Sequence, residues 1–171
     1  MPSEMKNIPD ILRAMTHREV QFVVVGGFAV QLHGFVRSTI DLDLVLAMDN
    51  GNLTKFIEVA RQFNLHPIVP ASIESLKNAE LMDLWFWEKG MVAFALREAE
   101  PAGAVIDVLV RPVVDFEVLH AHAVPVELFG GEVKIASIDH LIAMKRVAGR
   151  RKDLIDIDAL QSIQRGEDPN A

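Results

Sequence analysis

Val25-Gly26-Gly27, then Phe28 to His33 and Gly34, then Arg37-Ser38-Thr39-Ile40-Asp41-Leu42-Asp43, is the stretch from which the rest of the chain can be read. Just upstream of the glycines, Phe22-Val23-Val24-Val25 is a β-branched run of the kind that forms a buried strand. Gly26-Gly27 ends that strand, and Phe28 to His33 reads as a short helical stretch stopped by Gly34. Ile40 to Leu46 then alternates. Asp41, Asp43 and Val45 fall on one face, and Leu42, Leu44 and Leu46 on the other. Aspartate is disfavoured inside strands, so two on one face need a reason. Their Cα atoms should lie roughly 7 Å apart. At that spacing both carboxylates can converge on hard cations. Mg²⁺ fits this donor set, with Mn²⁺ as the substitute, because it takes oxygen ligands and leaves positions for water and substrate phosphate.

A third carboxylate interrupts an apolar run in Ala104-Val105-Ile106-Asp107-Val108-Leu109-Val110. A lone charge in a buried strand is costly unless it is paired or bound to a cation. Asp107 is therefore either a third cation ligand, an edge residue facing solvent, or a partner of Arg111 or Arg97. The glycine turn adds a second element. Between a strand and a helix, Gly26-Gly27 lets the backbone approach a ligand and opens a helix N-terminus toward phosphate. Arg37, just before the aspartate strand, is a candidate phosphate contact, although a solvated loop arginine is the common case. A structural ion pair from Arg37 to Asp41 or Asp43 is the competing reading.

Working outward, Ile8, Ile11, Leu12 and Met15 mark an amphipathic helix over residues 6–18. Asp49 to Asn52 reads as a turn and helix start, and Leu53, Phe56, Ile57, Ala60 and Phe63 carry the helix on. Pro67 and Pro70 bracket an extended piece, and residues 72–80 form a short helix. Trp85 and Trp87 alternate as on a strand, where packing or a partner surface is favoured over stacking of a base. Met91 to Leu96 and Ala104 to Val110 pair as strands across Glu100-Pro101-Ala102-Gly103. Val124 to Phe129 and Glu132 to Ile135 form a hairpin around Gly130-Gly131. Ser137 caps a helix through Lys145 that Gly149 breaks. Residues 151–164 form the last helix, and the tail after Arg165 is expected to be mobile. The fold class is α+β, or mixed α/β: a central sheet flanked by helices, with a C-terminal helix pair over 136–165 inside one domain, 1–171.

Composition narrows the function. The chain has 171 residues, half of them hydrophobic, and no cysteine, so disulfides, thiolate metal sites and a cysteine nucleophile are excluded. No apolar run reaches the roughly 18–20 residues that span a bilayer, and no signal peptide is read at Met1 to Asp10. A cytoplasmic protein without membrane contact is expected. A net charge of −7 argues against sequence-blind wrapping of DNA but leaves room for a local basic groove.

Gly26-Gly27, a short helix and Arg37-x-Thr39-x-Asp41-x-Asp43 together resemble the signature of the nucleotidyltransferase superfamily, whose polymerase-β-like fold carries a later strand aspartate, matched here by Asp107. Where many relatives place a serine after the first glycine, this chain has Gly27, which leaves backbone N–H groups for phosphate. Ala136-Ser137-Ile138-Asp139-His140-Leu141-Ile142-Ala143-Met144-Lys145, with Gly149-Arg150-Arg151-Lys152-Asp153 and Asp156, is similar to the C-terminal helices of toxins of AbiE-type abortive-infection systems and their relatives. The resemblance implies a Mg²⁺-dependent enzyme that moves a nucleoside monophosphate from a nucleoside triphosphate to an acceptor hydroxyl. Asp41, Asp43 and Asp107 are then metal ligands and catalytic groups. Gly26, Gly27, Arg37, Thr39 and Lys145 face the nucleotide. The acceptor is tRNA or another RNA, a protein or a small molecule, and a toxin version implies an antitoxin partner. A non-catalytic nucleotide- or partner-binding module and a metal-dependent phosphohydrolase are the alternatives.

Other charged residues carry weaker signals. Arg146, Arg150, Arg151 and Lys152 stand out in an acidic chain; they offer charge to a triphosphate tail or an RNA backbone, and a solvated helix face with an i,i+4 pair Lys152–Asp156 is the favoured reading. His120-x-His122 lacks further zinc ligands and reads as surface histidines. For His33 the sequence leaves a helix-end role and a place near phosphate both open.

Overall fold

The computed structural model describes residues 7–100 and 103–171. Its elements in chain order are α1 (Ile8–His17), β1 (Phe22–Val25), α2 (Gly26–Leu32), β2 (Asp41–Leu46), α3 (Asn50–Gln62) and β3 (Leu65–Pro67). A 3-10 turn (Ile73–Lys77) leads into α4 (Ala79–Lys89), β4 (Ala93–Glu98), β5 (Val105–Leu109), α5 (Phe116–Ala121), β6 (Val124–Leu128), β7 (Gly131–Ile135), α6 (Ile138–Ala148) and α7 (Arg151–Gln164). Among the described residues the strands form one seven-stranded mixed sheet in the order β3-β4-β5-β2-β1-β7-β6. The pairs β1–β7 and β2–β5 are parallel and the others antiparallel.

The sequence explains the centre of this sheet. All four residues of β1 are buried, as expected of a β-branched strand covered on both faces. On β2, Leu42, Leu44 and Leu46 are buried while Asp41 and Asp43 are half-buried on the opposite face. β5 repeats the pattern, with Ile106 and Val108 buried and Asp107 and Leu109 half-buried. One apolar face thus holds β2 and β5 in the core, and their other face is left for chemistry.

The helices are tied by their ends. Asp49 caps α3 by accepting from the Asn52 N–H at 2.9 Å, and Ser137 caps α6 by accepting from the His140 N–H at 3.2 Å. Gly149 ends α6 in the left-handed conformation, φ +63°. Nε2 of His33, at the end of α2, lies 2.8 Å from the Ala136 carbonyl that precedes α6.

Four sequence expectations differ from the structure. Trp85 and Trp87 lie on α4, not on a strand. Asn78 caps that helix by accepting from the Leu81 N–H at 3.0 Å, and Gly90 closes it at φ +65°. The end signals therefore outweigh the local alternation. The six-residue helix α5 was not read, because it is too short to show a period. The expected Lys152–Asp156 pair does not form: Asp156 is buried, facing Arg37 and Lys145, whereas Lys152 is exposed. The tail beyond Arg165 folds back. Oδ1 of Asn170 accepts from the Val36 N–H at 2.8 Å, and its Nδ2 donates to the Gly34 carbonyl at 3.0 Å. Residues 6, 101 and 102, where the first helix and one hairpin connection were read, lie outside the described residues.

Candidate active site

Strand register brings the aspartates together. β2 and β5 run parallel with Asp43 opposite Asp107 and Asp41 opposite Val105. Asp43 and Asp107 share a side-chain hydrogen bond, and the charge of Asp41 is felt at both. Burial, the neighbouring Asp107 and the Asp41 charge push the Asp43 carboxyl up to about 7, against a downward pull from Lys145. Burial and the Asp41 charge also raise Asp107 above the ordinary carboxylate range, although its bond to Asp43 opposes this. Among the described residues no three His, Asp or Glu side chains already converge as a ready-made cation cage. Asp43 and Asp107 face each other from adjacent strands, and burial with the crowding of like charges makes ionisation of Asp43 costly.

The glycine turn packs on this pair. β1 and β2 are antiparallel with Val25 opposite Asp43, so the next residue, Gly26, lies against the Asp43 side chain. A Cβ on Gly26 would fall 1.9 Å from Oδ2 of Asp43, and its φ of +66° suits glycine. A Cβ on Gly27 would lie 3.1 Å from both Cζ of Arg37 and Oγ1 of Thr39. Gly26 and Gly27 form the first turn of α2. The turn, Arg37, Thr39 and Asp43 therefore meet in one place.

Arg37 does not pair with Asp41 or Asp43 as the structural reading of the sequence allowed. It pairs with Asp156 of α7. Thr39 Oγ1 reaches the Asp41 carbonyl at 3.4 Å. Lys145 is buried, 7 % exposed, with Nζ 2.8 Å from Oδ2 of Asp156 and 3.6 Å from Oδ1 of Asp153. A cleft of about 490 Å³ opens beside Asp43, and Gly26, Phe86, Met144, Lys145 and Arg150 are among the residues that line it. Its walls combine apolar surface with cations beside carboxylates, a composition that suits a nucleotide's base and phosphates.

No protein-family model matches the chain, and no curated protein matches it significantly. A solved structure does. The crystal structure of an antigenic nucleotidyltransferase-like protein from Paracoccidioides brasiliensis is similar with a TM-score of 0.56 at 18% sequence identity, covering 95% of this chain and 76% of that chain. The fold is nucleotidyltransferase-like.

Within this nucleotidyltransferase-like fold, Asp153 and Asp156 belong to the site's surroundings, a place that residue pattern alone does not assign them, and Arg150 joins them. Asp153 and Asp156 are 1 % and 2 % exposed. Arg150 precedes α7 and bonds Asp153 from its backbone N–H at 3.1 Å and its Nε at 2.8 Å. Those bonds overcome burial and hold the Asp153 carboxyl below its ordinary value. A signal was present. Asp153, Asp156, Ile157 and Leu160 follow the i, i+3, i+4, i+7 spacing of the buried stripe of α7. Two acids on an apolar stripe call for buried cationic partners. His120 and His122 gain no zinc-like company: His122 packs edge-on against His140, and Lys134 sits 3.5 Å from Nε2 of His120.

Proposed function

We propose that this protein is a nucleotidyltransferase that moves a nucleoside monophosphate from a nucleoside triphosphate to an acceptor hydroxyl. The observation that carries the reading is the Asp43–Asp107 pair, joined by the charge of Asp41, directly against the Gly26 turn in a nucleotidyltransferase-like fold. Oxygen donors crowded until one keeps a proton near neutrality fit a hard divalent cation, which would replace that proton. Asp41, Asp43 and Asp107 would hold Mg²⁺, or Mn²⁺ in its place. When bound, the cation would supply charge compensation for the triphosphate and the leaving pyrophosphate and ease loss of the acceptor proton.

The chain's own groups do the rest. The N–H groups of the α2 first turn face phosphate oxygens at a helix N-terminus, where partial positive charge favours an anion. Lys145 brings an ammonium to the same cleft. Asp43 and Asp41 anchor the nucleotide side, and Asp107, on the neighbouring strand, serves the acceptor side. The half-apolar cleft wall at Phe86 and Met144 receives the nucleobase and excludes water.

The AbiE-type resemblance of residues 136–156 supports a toxin acting on tRNA or another RNA, with an antitoxin partner. The exposed cations Arg146, Arg151 and Lys152 at the α6–α7 junction suit an RNA backbone. None of the described helices is long and apolar enough to cross a membrane, and a cytoplasmic setting, where nucleoside triphosphates and RNA are abundant, fits the reading. The test is incubation with each labelled nucleoside triphosphate, Mg²⁺ and total cellular RNA, with protein and small-molecule acceptors in parallel. Label in RNA is the expected result. Triphosphate binding without label in any acceptor makes the non-catalytic module the better account.

A further inference from the structure

Asp156 is one of two almost fully buried carboxylates among the described residues. It is 2 % exposed, and its Oδ2 accepts from Nζ of Lys145 at 2.8 Å and from Nη1 of Arg37. These two cations come from distant parts of the chain, Arg37 from the segment before β2 and Lys145 from α6. Each leads to a different wall of the candidate site. The Arg37 guanidinium lies beside Gly27, and Lys145 lines the cleft with Asp43. Asp153, one turn earlier on α7, is occupied mainly by Arg150 and stands 3.6 Å from Lys145. Stability alone does not call for this arrangement, because apolar residues of similar volume usually hold a core as well as buried ion pairs do.

We propose that Asp156 is a positioning residue: its single carboxylate fixes the Lys145 ammonium and the Arg37 guanidinium relative to the Gly26-Gly27 turn, and so sets triphosphate affinity without touching the nucleotide. This rests on the reading of Lys145 as a phosphate-binding group. An ammonium has three donors. Asp156 takes one and Asp153 lies at the edge of reach of a second, which leaves at least one for a phosphate oxygen in the cleft. A four-carbon stem otherwise samples many rotamers, and ordering it before the ligand arrives removes that cost from binding. Arg37 has five N–H donors. One goes to Asp156, and Nε reaches the Ser38 carbonyl at 3.3 Å, so the guanidinium is braced with donors to spare. α7 thereby contributes to nucleotide binding without lending a ligand.

The experiment is a double-mutant cycle on Mg²⁺–ATP affinity with Asp156→Asn, Lys145→Met and the double variant, each checked by thermal melting. Asp156→Asn keeps the shape and removes the charge, and Asp156→Glu keeps the charge and moves it by one methylene. Both are expected to weaken ATP binding by about tenfold, within the usual range for coupled neighbours. In the Lys145→Met background, Asp156→Asn should cost much less than in the wild type. Equal losses in both backgrounds would mean that Asp156 acts through the fold at large, and would overturn the proposal. A nucleotide-free arm follows the ¹⁵N resonance of the Lys145 ammonium, expected to be sharp and slow to exchange in the wild type and broadened in Asp156→Asn and Asp156→Glu. An unchanged resonance in both overturns the proposal. A wild-type protein that binds no triphosphate overturns the transfer reading and the anchor's purpose together, whereas the resonance still reports whether the anchor exists.

Discussion

Asp43 and Asp107 stand opposite each other across the parallel strands β2 and β5, and their carboxyl groups share a hydrogen bond. Two carboxyls in that relation cannot both ionise cheaply. The site's response to pH, to cations and to substitution follows from this.

Protein stability should fall as pH rises from about 4 to about 7. The Asp43 carboxyl is raised from 3.8 to about 7 by burial, Asp107 and Asp41. Below the unfolded value both states hold the proton and nothing is lost. Between the two values the unfolded chain has released the proton while the native site still holds it. Each pH unit of that window costs the native state at most about 1.4 kcal/mol. Above about 7 the loss is complete. Urea denaturation at pH 5 and pH 8, without divalent cations, measures the drop, and Asp43→Asn should flatten it. A wild-type stability that is level across this range would contradict the raised Asp43 carboxyl.

Mg²⁺ or Mn²⁺ should raise the melting temperature at pH 8 and have much less effect at pH 5, where protons compete for the same oxygens. At a hundredfold excess over the dissociation constant the gain is about 2.7 kcal/mol. For a chain of this size that corresponds to roughly 5–10 °C. An Asp41→Asn/Asp43→Asn double variant should lose the response. Equal shifts in both proteins would place the cation elsewhere.

Gly26→Ala should harm the protein more than Gly27→Ala. At Gly26 the added Cβ would meet Oδ2 of Asp43 at 1.9 Å, on a backbone with φ +66°. The left-handed conformation alone costs an alanine roughly 1–2 kcal/mol, and Asp43 must move as well. At Gly27 the nearest atoms, 3.1 Å away, are the side-chain ends of Arg37 and Thr39, which can shift slightly. Chemical denaturation and cation titration on both variants would reveal the order, and equal behaviour would show that the Gly26–Asp43 contact is not maintained in solution.

Asp107→Asn should reduce nucleotide transfer by a factor of a hundred or more, on the order of 3 kcal/mol of transition-state stabilisation, while much triphosphate affinity remains. An interaction needed mainly in the transition state lowers turnover more than ground-state binding. Lys145→Ala should show the reverse, because its charge meets phosphate oxygens already present in the bound substrate. Single-turnover rates and nucleotide titrations separate the two. Wild-type transfer by Asp107→Asn would remove Asp107 from the proposed chemistry.

Much of this layout is legible in the residues themselves. The valines of β1, the alternation of Asp41-Leu42-Asp43-Leu44 and the cap at Ser137 each speak through contacts within a few positions, and period and capping are local properties of a chain. The same locality misled at Trp85 and Trp87, where a strand-like alternation lies inside a helix bounded by Asn78 and Gly90.

From the residues alone it follows that two aspartates share one face of a strand, that a glycine pair precedes them and that a lone acid interrupts a later strand. Each of these is fixed by backbone period and residue type. Which charges meet is set by long-range packing. Asp107 reaches Asp43 through a strand register set 64 positions away, and Asp156 meets Arg37 rather than Lys152 because α7 turns that face inward against α2 and α6. An ion pair on a helix surface is available to any i,i+4 neighbour at little gain. Once the face is buried, a carboxylate must find whichever cations the packing brings, and packing is a property of the whole chain.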